Sequence, residues 1–130
     1  MKNRTKLREQ IMIIIYQISL YKNNGLVYDV DNVIKENMEI ENEFVKDMVY
    51  GIITYYDELN IVANKYLSNW SIDRIDNIGA AILRMALYEI KYTDTPPIVV
   101  INEAIELCKK YSDDNVRKMV NAVLDKVINE

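Results

Sequence analysis

The chain has 130 residues, half of them apolar, with three Gly, two Pro, one Cys and a formal net charge of −4. That length supports one ordinary core or two small subdomains sharing an interface. The composition excludes a disordered polyelectrolyte, a turn-rich all-β architecture and an intramolecular disulfide framework.

The charged opening KNRTKLRE follows Met1 directly, with no apolar signal segment, and the longest apolar run, Ile11 to Tyr16, is too short for a bilayer. A soluble, cytoplasmic protein without membrane association is expected. Lys2, Arg4, Lys6 and Arg8 fall within the first eight residues, opposed only by Glu9, while most acids lie between Asp29 and Asp76. This basic end on an acidic body reads either as a solvated helix start or as a binding patch.

The first helix is expected from Thr5 to Tyr21, with Leu7, Ile11, Ile14, Ile15 and Ile18 as its buried stripe and Gly25 as the residue that ends it. Beside the stripe, Arg8, Met12 and Tyr16 form a row at i, i+4 and i+8. Exposed, such a row offers a guanidinium to phosphate and a phenol to a base; alternatively Tyr16 covers the edge of the core. A short helix follows over Val30–Asn37, capped by Asp29. A long third helix is predicted over Glu43–Tyr66, with Phe44, Met48, Gly51, Ile52, Tyr55, Leu59, Val62 and Tyr66 on one arc. Gly51 is read as the place where a neighbouring helix comes close.

Leu67 to Asn77 is the predicted boundary between an N-terminal half, 1–68, and a C-terminal half, 69–130. Ser71 and Asp73 are its capping residues, and Trp70 is expected to fill the interface between the halves. The next helix, Ile75–Tyr92, has an apolar arc of more than half its circumference and is expected to be the central, most buried helix of the C-terminal half. Glu89 projects into that arc. A carboxylate there needs a partner, either a cation or backbone amides; with no second catalytic group at a telling spacing, the structural reading is preferred over a general acid or base.

The sixth helix begins at Pro96 and Pro97 behind the capping candidate Thr95. Ile98, Ile101, Ala104, Ile105 and Cys108 are assigned inward, Cys108 as a small hydrophobe. Asn102, Glu103, Glu106, Lys109 and Lys110 are assigned outward. The last helix follows SDDN, with Val116, Val120, Val123 and Val127 buried and Asp114, Lys118, Asn121 and Asp125 opposite. No His, a single Cys and no Gly-rich phosphate loop mean that no metal, no cofactor and no catalytic site is expected. The residue reading is therefore all-α, about seven helical segments and no sheet.

Four stretches carry a further likeness. Arg4, Arg8, Glu9, Tyr16 and Gln17 form a basic opening helix. Ile82, Leu83, Arg84, Ala86, Leu87, Tyr88, Glu89 and Ile90 follow an ILRxALYEL pattern. Val99, Ile101, Asn102, Glu103, Ala104, Glu106, Leu107 and Lys109 follow VxINEAxELAK, and Val120, Asn121, Val123, Leu124, Asp125 and Lys126 follow FVNGVLDK. In order and spacing the chain resembles the NusB family of bacterial transcription antitermination factors over nearly its whole length.

The resemblance implies a fold of two packed three-helix bundles. It also implies an activity: binding the single-stranded RNA element boxA together with ribosomal protein NusE, within the RNA polymerase antitermination complex that reads through ribosomal RNA operons. Family members meet RNA with the basic first helix and the start of the last one; the matching positions are Arg4, Lys6, Arg8, Tyr16, Asn115, Lys118 and Met119. Asn102, Glu103 and Asn121, outward positions inside the family motifs, are the implied partner-binding residues. Some members self-associate, so a homodimer is a further expectation.

Met119 stands where the family has an aromatic, Ala122 where it has Gly, and Thr5 interrupts the basic stretch. Fewer cations imply weaker phosphate contacts and a shallower salt slope. Two other readings belong beside this one. One is a protein-interaction module with little RNA affinity. The other is a relative of the RNA-binding domain of ribosomal RNA cytosine methyltransferases, although no methyl-donor motif is present.

Overall fold

A computed structural model describes residues 3–130; Lys2, counted above in the basic cluster, lies outside the described residues. Those residues form seven helices and no strand: α1 (Arg4–Asn23), α2 (Val30–Asn37), α3 (Glu43–Thr54), α4 (Tyr56–Tyr66), α5 (Asn77–Tyr92), α6 (Pro97–Tyr111) and α7 (Asp114–Ile128). No described helix is long and apolar enough to cross a membrane.

Helix α1 is capped by Asn3, whose side chain accepts from the Lys6 amide, and buries Leu7, Ile11, Ile14, Ile15 and Ile18 as the spacing predicts. It ends where Gly25 takes φ +63°, with the Leu26 amide donating to the Tyr21 carbonyl and the Gly25 amide to that of Lys22. This is the left-handed termination that a glycine makes cheap. Asp29 caps α2 through the Asn32 amide, and Asp113 caps α7 through that of Val116. The four valines assigned to the interior of α7 are all buried.

The single helix expected over Glu43–Tyr66 is instead two, broken at Tyr55, whose backbone leaves the helical region at φ −102°, ψ 17°. Ahead of the break stand β-branched Ile52, Ile53 and Thr54, and the Thr54 hydroxyl bonds back to the Tyr50 carbonyl at 2.7 Å, a contact that bends helices. The break carries Tyr55 out of the predicted arc to the surface, while Val45, Val49, Tyr56 and Ala63 enter the core. Gly51 does mark a close approach: a Cβ there would fall inside the ring and hydroxyl of Tyr88 on α5.

Trp70 does not fill an interface; it is 53% exposed. Asn69 adopts a left-handed φ of 63°, and the turn it makes directs Leu67, Ile72 and Ile75 inward while Trp70 points to solvent. The cap of α5 is Asp76, accepting from the Gly79 amide, rather than Ser71 or Asp73.

In α6 the capping role expected of Thr95 is unfilled, since Pro96 precedes the helix without a side-chain cap. The predicted inward face is also rotated. Ile98 is 64% exposed and Val100 and Leu107 take buried positions, beside Ala104 and Cys108 as expected. Two prolines at the start fix the helix phase from φ alone, and packing on α5 and α7 then favours Val100 over Ile98. Burial pushes the Cys108 thiol up to about 11, which keeps it protonated and inert.

Helix α5 is the centre of the whole molecule, not only of its C-terminal half. It packs against α1, α3, α4, α6 and α7, and ten of its sixteen residues are buried.

Candidate nucleic-acid interface

Helix α1 presents its first turn to solvent and its next turn to the core. Arg4, Thr5 and Lys6 are exposed; Leu7 and Arg8 are buried. Arg4 lays its guanidinium 3.8 Å above the centroid of Phe44 at the start of α3, a stacking contact that orients the cation while leaving its edge in water. Phe44 thus has a role that helical spacing alone assigned to packing.

Arg8 corrects the exposed-row reading. It is 5% exposed, and Met12 is buried beside it. The Arg8 guanidinium clasps the Glu89 carboxylate, Nε donating to Oε1 at 2.9 Å and to Oε2 at 3.2 Å and Nη2 to Oε2 at 2.6 Å. Glu89, 1% exposed, thereby receives the partner that its place in the apolar arc demands. The bond to Glu89 raises the Arg8 pKa despite its burial, so the cation is permanent and committed to the fold. Tyr16, third in the row, is half-buried against the core.

Side chains rather than backbone packing tie α1 to α6. The Thr5 hydroxyl donates to Glu103 Oε1 at 2.8 Å, and Arg8 Nη1 lies 3.7 Å from the same oxygen. Glu103, assigned to an outward partner surface, therefore spends its carboxylate inside the molecule. Lys110 Nζ donates to Glu9 Oε2 at 2.8 Å, and Lys110 together with the Tyr111 hydroxyl holds the Glu9 carboxyl below its ordinary range. These partners lie about a hundred positions apart in sequence, so no local pattern announces them.

The consequence is a shared surface. The Glu9–Lys110 bond brings the exposed start of α1 beside the end of α6, one turn before α7 begins. Lys6 lines a shallow hollow there with Lys109 and Lys110, which pair with Glu106 and Glu9 on the same rim; the sequence reading placed both lysines outward without assigning them a role. On α7, Asn115 and Lys118 are exposed and Met119 is half-buried. Asn102 and Asn121 are exposed on α6 and α7; Asn102 borders a hollow with Val99, Thr5, Glu103 and Glu106. The described residues hold no His, Cys, Asp or Glu group suited to a metal ion.

A family model described as the NusB family matches residues 5–129. The transcription antitermination protein NusB of Pediococcus pentosaceus is 38% identical over 128 residues, covering 96% of each chain. That of Bacillus subtilis is 37% identical over 131 residues, covering 98% of this chain and 95% of the relative. Among solved structures, T. maritima NusB superposes with a TM-score of 0.86 at 27% identity, covering 99% of this chain and 92% of the other. A chain from a crystal structure of the antitermination factors NusB and NusE in complex with dsRNA gives 0.82 at 25% identity, covering 97% and 96%.

Proposed function

We propose that this chain, which belongs to the NusB family, is an RNA-binding transcription antitermination factor that acts with ribosomal protein NusE. In this reading the RNA is a boxA-type single strand, the setting is the antitermination complex of RNA polymerase on ribosomal RNA operons in the cytoplasm, and the chain binds rather than catalyses.

The observation that carries the reading is the exposed cationic start of α1: Arg4 stacked on Phe44 of α3, and Lys6 beside the end of α6, where Glu9 bonds Lys110. In this reading RNA phosphates meet Arg4, Lys6 and Lys118, with Asn115, Met119 and the edge of Tyr16 closer to the bases. Arg8 is left out of the RNA contacts, because its guanidinium is spent on Glu89. Asn102 and Asn121, with the exposed Ile98 and Val99 at the start of α6, form the partner-facing surface; Glu103 supports it from within.

Calorimetric titration of the chain with boxA-type RNA, single-stranded and double-stranded, alone and with NusE, tests the proposal. NusE should raise RNA affinity, and RNA should raise NusE affinity by the same factor. No heat and no co-elution with NusE at micromolar concentration would sink the assignment. Partner binding with no RNA affinity in any mixture would leave the protein-interaction reading in its place.

A further inference from the structure

Tyr55, at the break between α3 and α4, meets Tyr88 and Tyr92, which lie one turn apart on α5. The centroids of Tyr55 and Tyr92 are 4.3 Å apart, those of Tyr88 and Tyr92 5.4 Å, and those of Tyr55 and Tyr88 6.4 Å. Tyr55 and Tyr92 are each 39% exposed. Two features accommodate the cluster: the chain leaves the helix at Tyr55, and Gly51, within α3, has no side chain to fill the space that Tyr88 occupies.

Carboxylates surround the rings. The Tyr92 hydroxyl donates to Glu58, which pushes its pKa up to about 12. Asp47 and Asp94 line a hollow with Tyr88. Elsewhere in the molecule, Phe44, Tyr56, Tyr66 and Tyr111 each carry a lysine or arginine cation over the ring. Among the described residues no cation lies over Tyr55, Tyr88 or Tyr92. The rings stack on one another, and the ring surface that Tyr55 and Tyr92 leave exposed is electron-rich and carboxylate-flanked. At the edge of that same hollow Arg4 already lies stacked on Phe44, so a guanidinium fits this surface chemically.

We propose that the Tyr55–Tyr88–Tyr92 face docks an arginine-bearing segment of a protein partner. A guanidinium stacks flat on a tyrosine ring while its N–H fork reaches a neighbouring carboxylate, here Glu58 or Asp47. A phosphate backbone is repelled by Glu58, Asp47 and Asp94, although Arg4 lines the edge of the same hollow. The proposal does not depend on the RNA assignment.

The test uses the full chain and a fluorescein-labelled arginine–glycine repeat peptide, followed by anisotropy. Saturable binding is expected. It should weaken roughly fivefold in Tyr55→Ala and again in Tyr92→Ala, persist in Tyr92→Phe, and be several-fold weaker for the matching lysine–glycine peptide. RNA affinity should not change in these variants. Glu58→Gln, which leaves all three rings in place, should also weaken the peptide and guards against a folding defect in the alanine variants. Equal affinity for the two peptides, or undiminished binding by a folded Tyr55→Ala/Tyr92→Ala variant, overturns the proposal. So does single-stranded RNA that competes for the face and loses affinity in that variant, or self-association of the chain that the same variant abolishes.

Discussion

Replacing Glu89 by Gln removes one charge from the most enclosed ion pair among the described residues, with side-chain exposures of 6% for Arg8 and 1% for Glu89. The amide keeps the shape and one acceptor oxygen but leaves the Arg8 guanidinium buried without its counter-ion. Breaking a buried pair in this way costs about 3–5 kcal/mol. Glu103 lies 3.7 Å from Arg8 and is partly solvated, so it recovers some of the loss and places the expected cost near the lower end, about 3 kcal/mol. For a chain of this size about 3 °C of melting temperature follows each kcal/mol, hence a fall of about 10 °C. Urea denaturation should show a lower midpoint with an unchanged slope. A companion variant, Arg8→Met/Glu89→Met, removes both charges and should regain much of the loss, because an apolar pair of similar volume carries no desolvation penalty. Unchanged melting in Glu89→Gln would refute the reasoning, and loss of RNA binding at unchanged melting would return Glu89 to a functional role.

Arg4→Ala should lower RNA affinity and reduce the salt slope by about one ion without lowering the melting temperature, whereas Arg8→Ala should do the reverse; parallel titration and melting of the two variants checks the division. Gly51→Ala gains about 1 kcal/mol of helix propensity but forces the Tyr88 ring out of its stack, so a net loss of about 1–2 kcal/mol and an altered near-ultraviolet tyrosine signal are expected. The Glu9 carboxyl has a folded pKa below its unfolded one. Its contribution is therefore present above the ordinary glutamate value of about 4.3 and lost as pH falls through the lower folded value. Lys110→Met should lower the urea midpoint at neutral pH, with the deficit against the unsubstituted chain shrinking as pH falls through the Glu9 range, as measured by urea midpoints across pH.

The helical class, the stripes of α1 and α7 and the buried pairing of Glu89 were legible because each depends on spacing within one helix or on the cost of an isolated charge. Arg8 was misplaced for the opposite reason: its i, i+4, i+8 row lies at the stripe's edge, and only the position of Glu89, 81 residues away, decides which side of that edge it occupies. The break at Tyr55 followed the same logic, since a run of β-branched residues lowers helix propensity only slightly and the ring contacts with α5 supply the rest. Ile98 and Trp70 were assigned inward on hydrophobicity, yet a diproline start and a left-handed Asn69 set the phase of their segments first. The Glu9–Lys110 ion pair and the Thr5–Glu103 hydrogen bond join residues that no sequence pattern relates.

The central position of α5 also limits how the molecule can respond to ligands. A helix that packs against α1, α3, α4, α6 and α7 is a common axle with no joint between the N-terminal and C-terminal helices. Neither group can swing against the other without stripping apolar side chains from that axle, and a close-packed interior does not yield by small degrees. If RNA binds at α1 and a protein partner at α6 and α7, as proposed, the two influence one another by touching or through their fields, not through a hinge. Free and bound forms of the chain should superimpose closely, with the changes confined to side chains at the exposed start of α1.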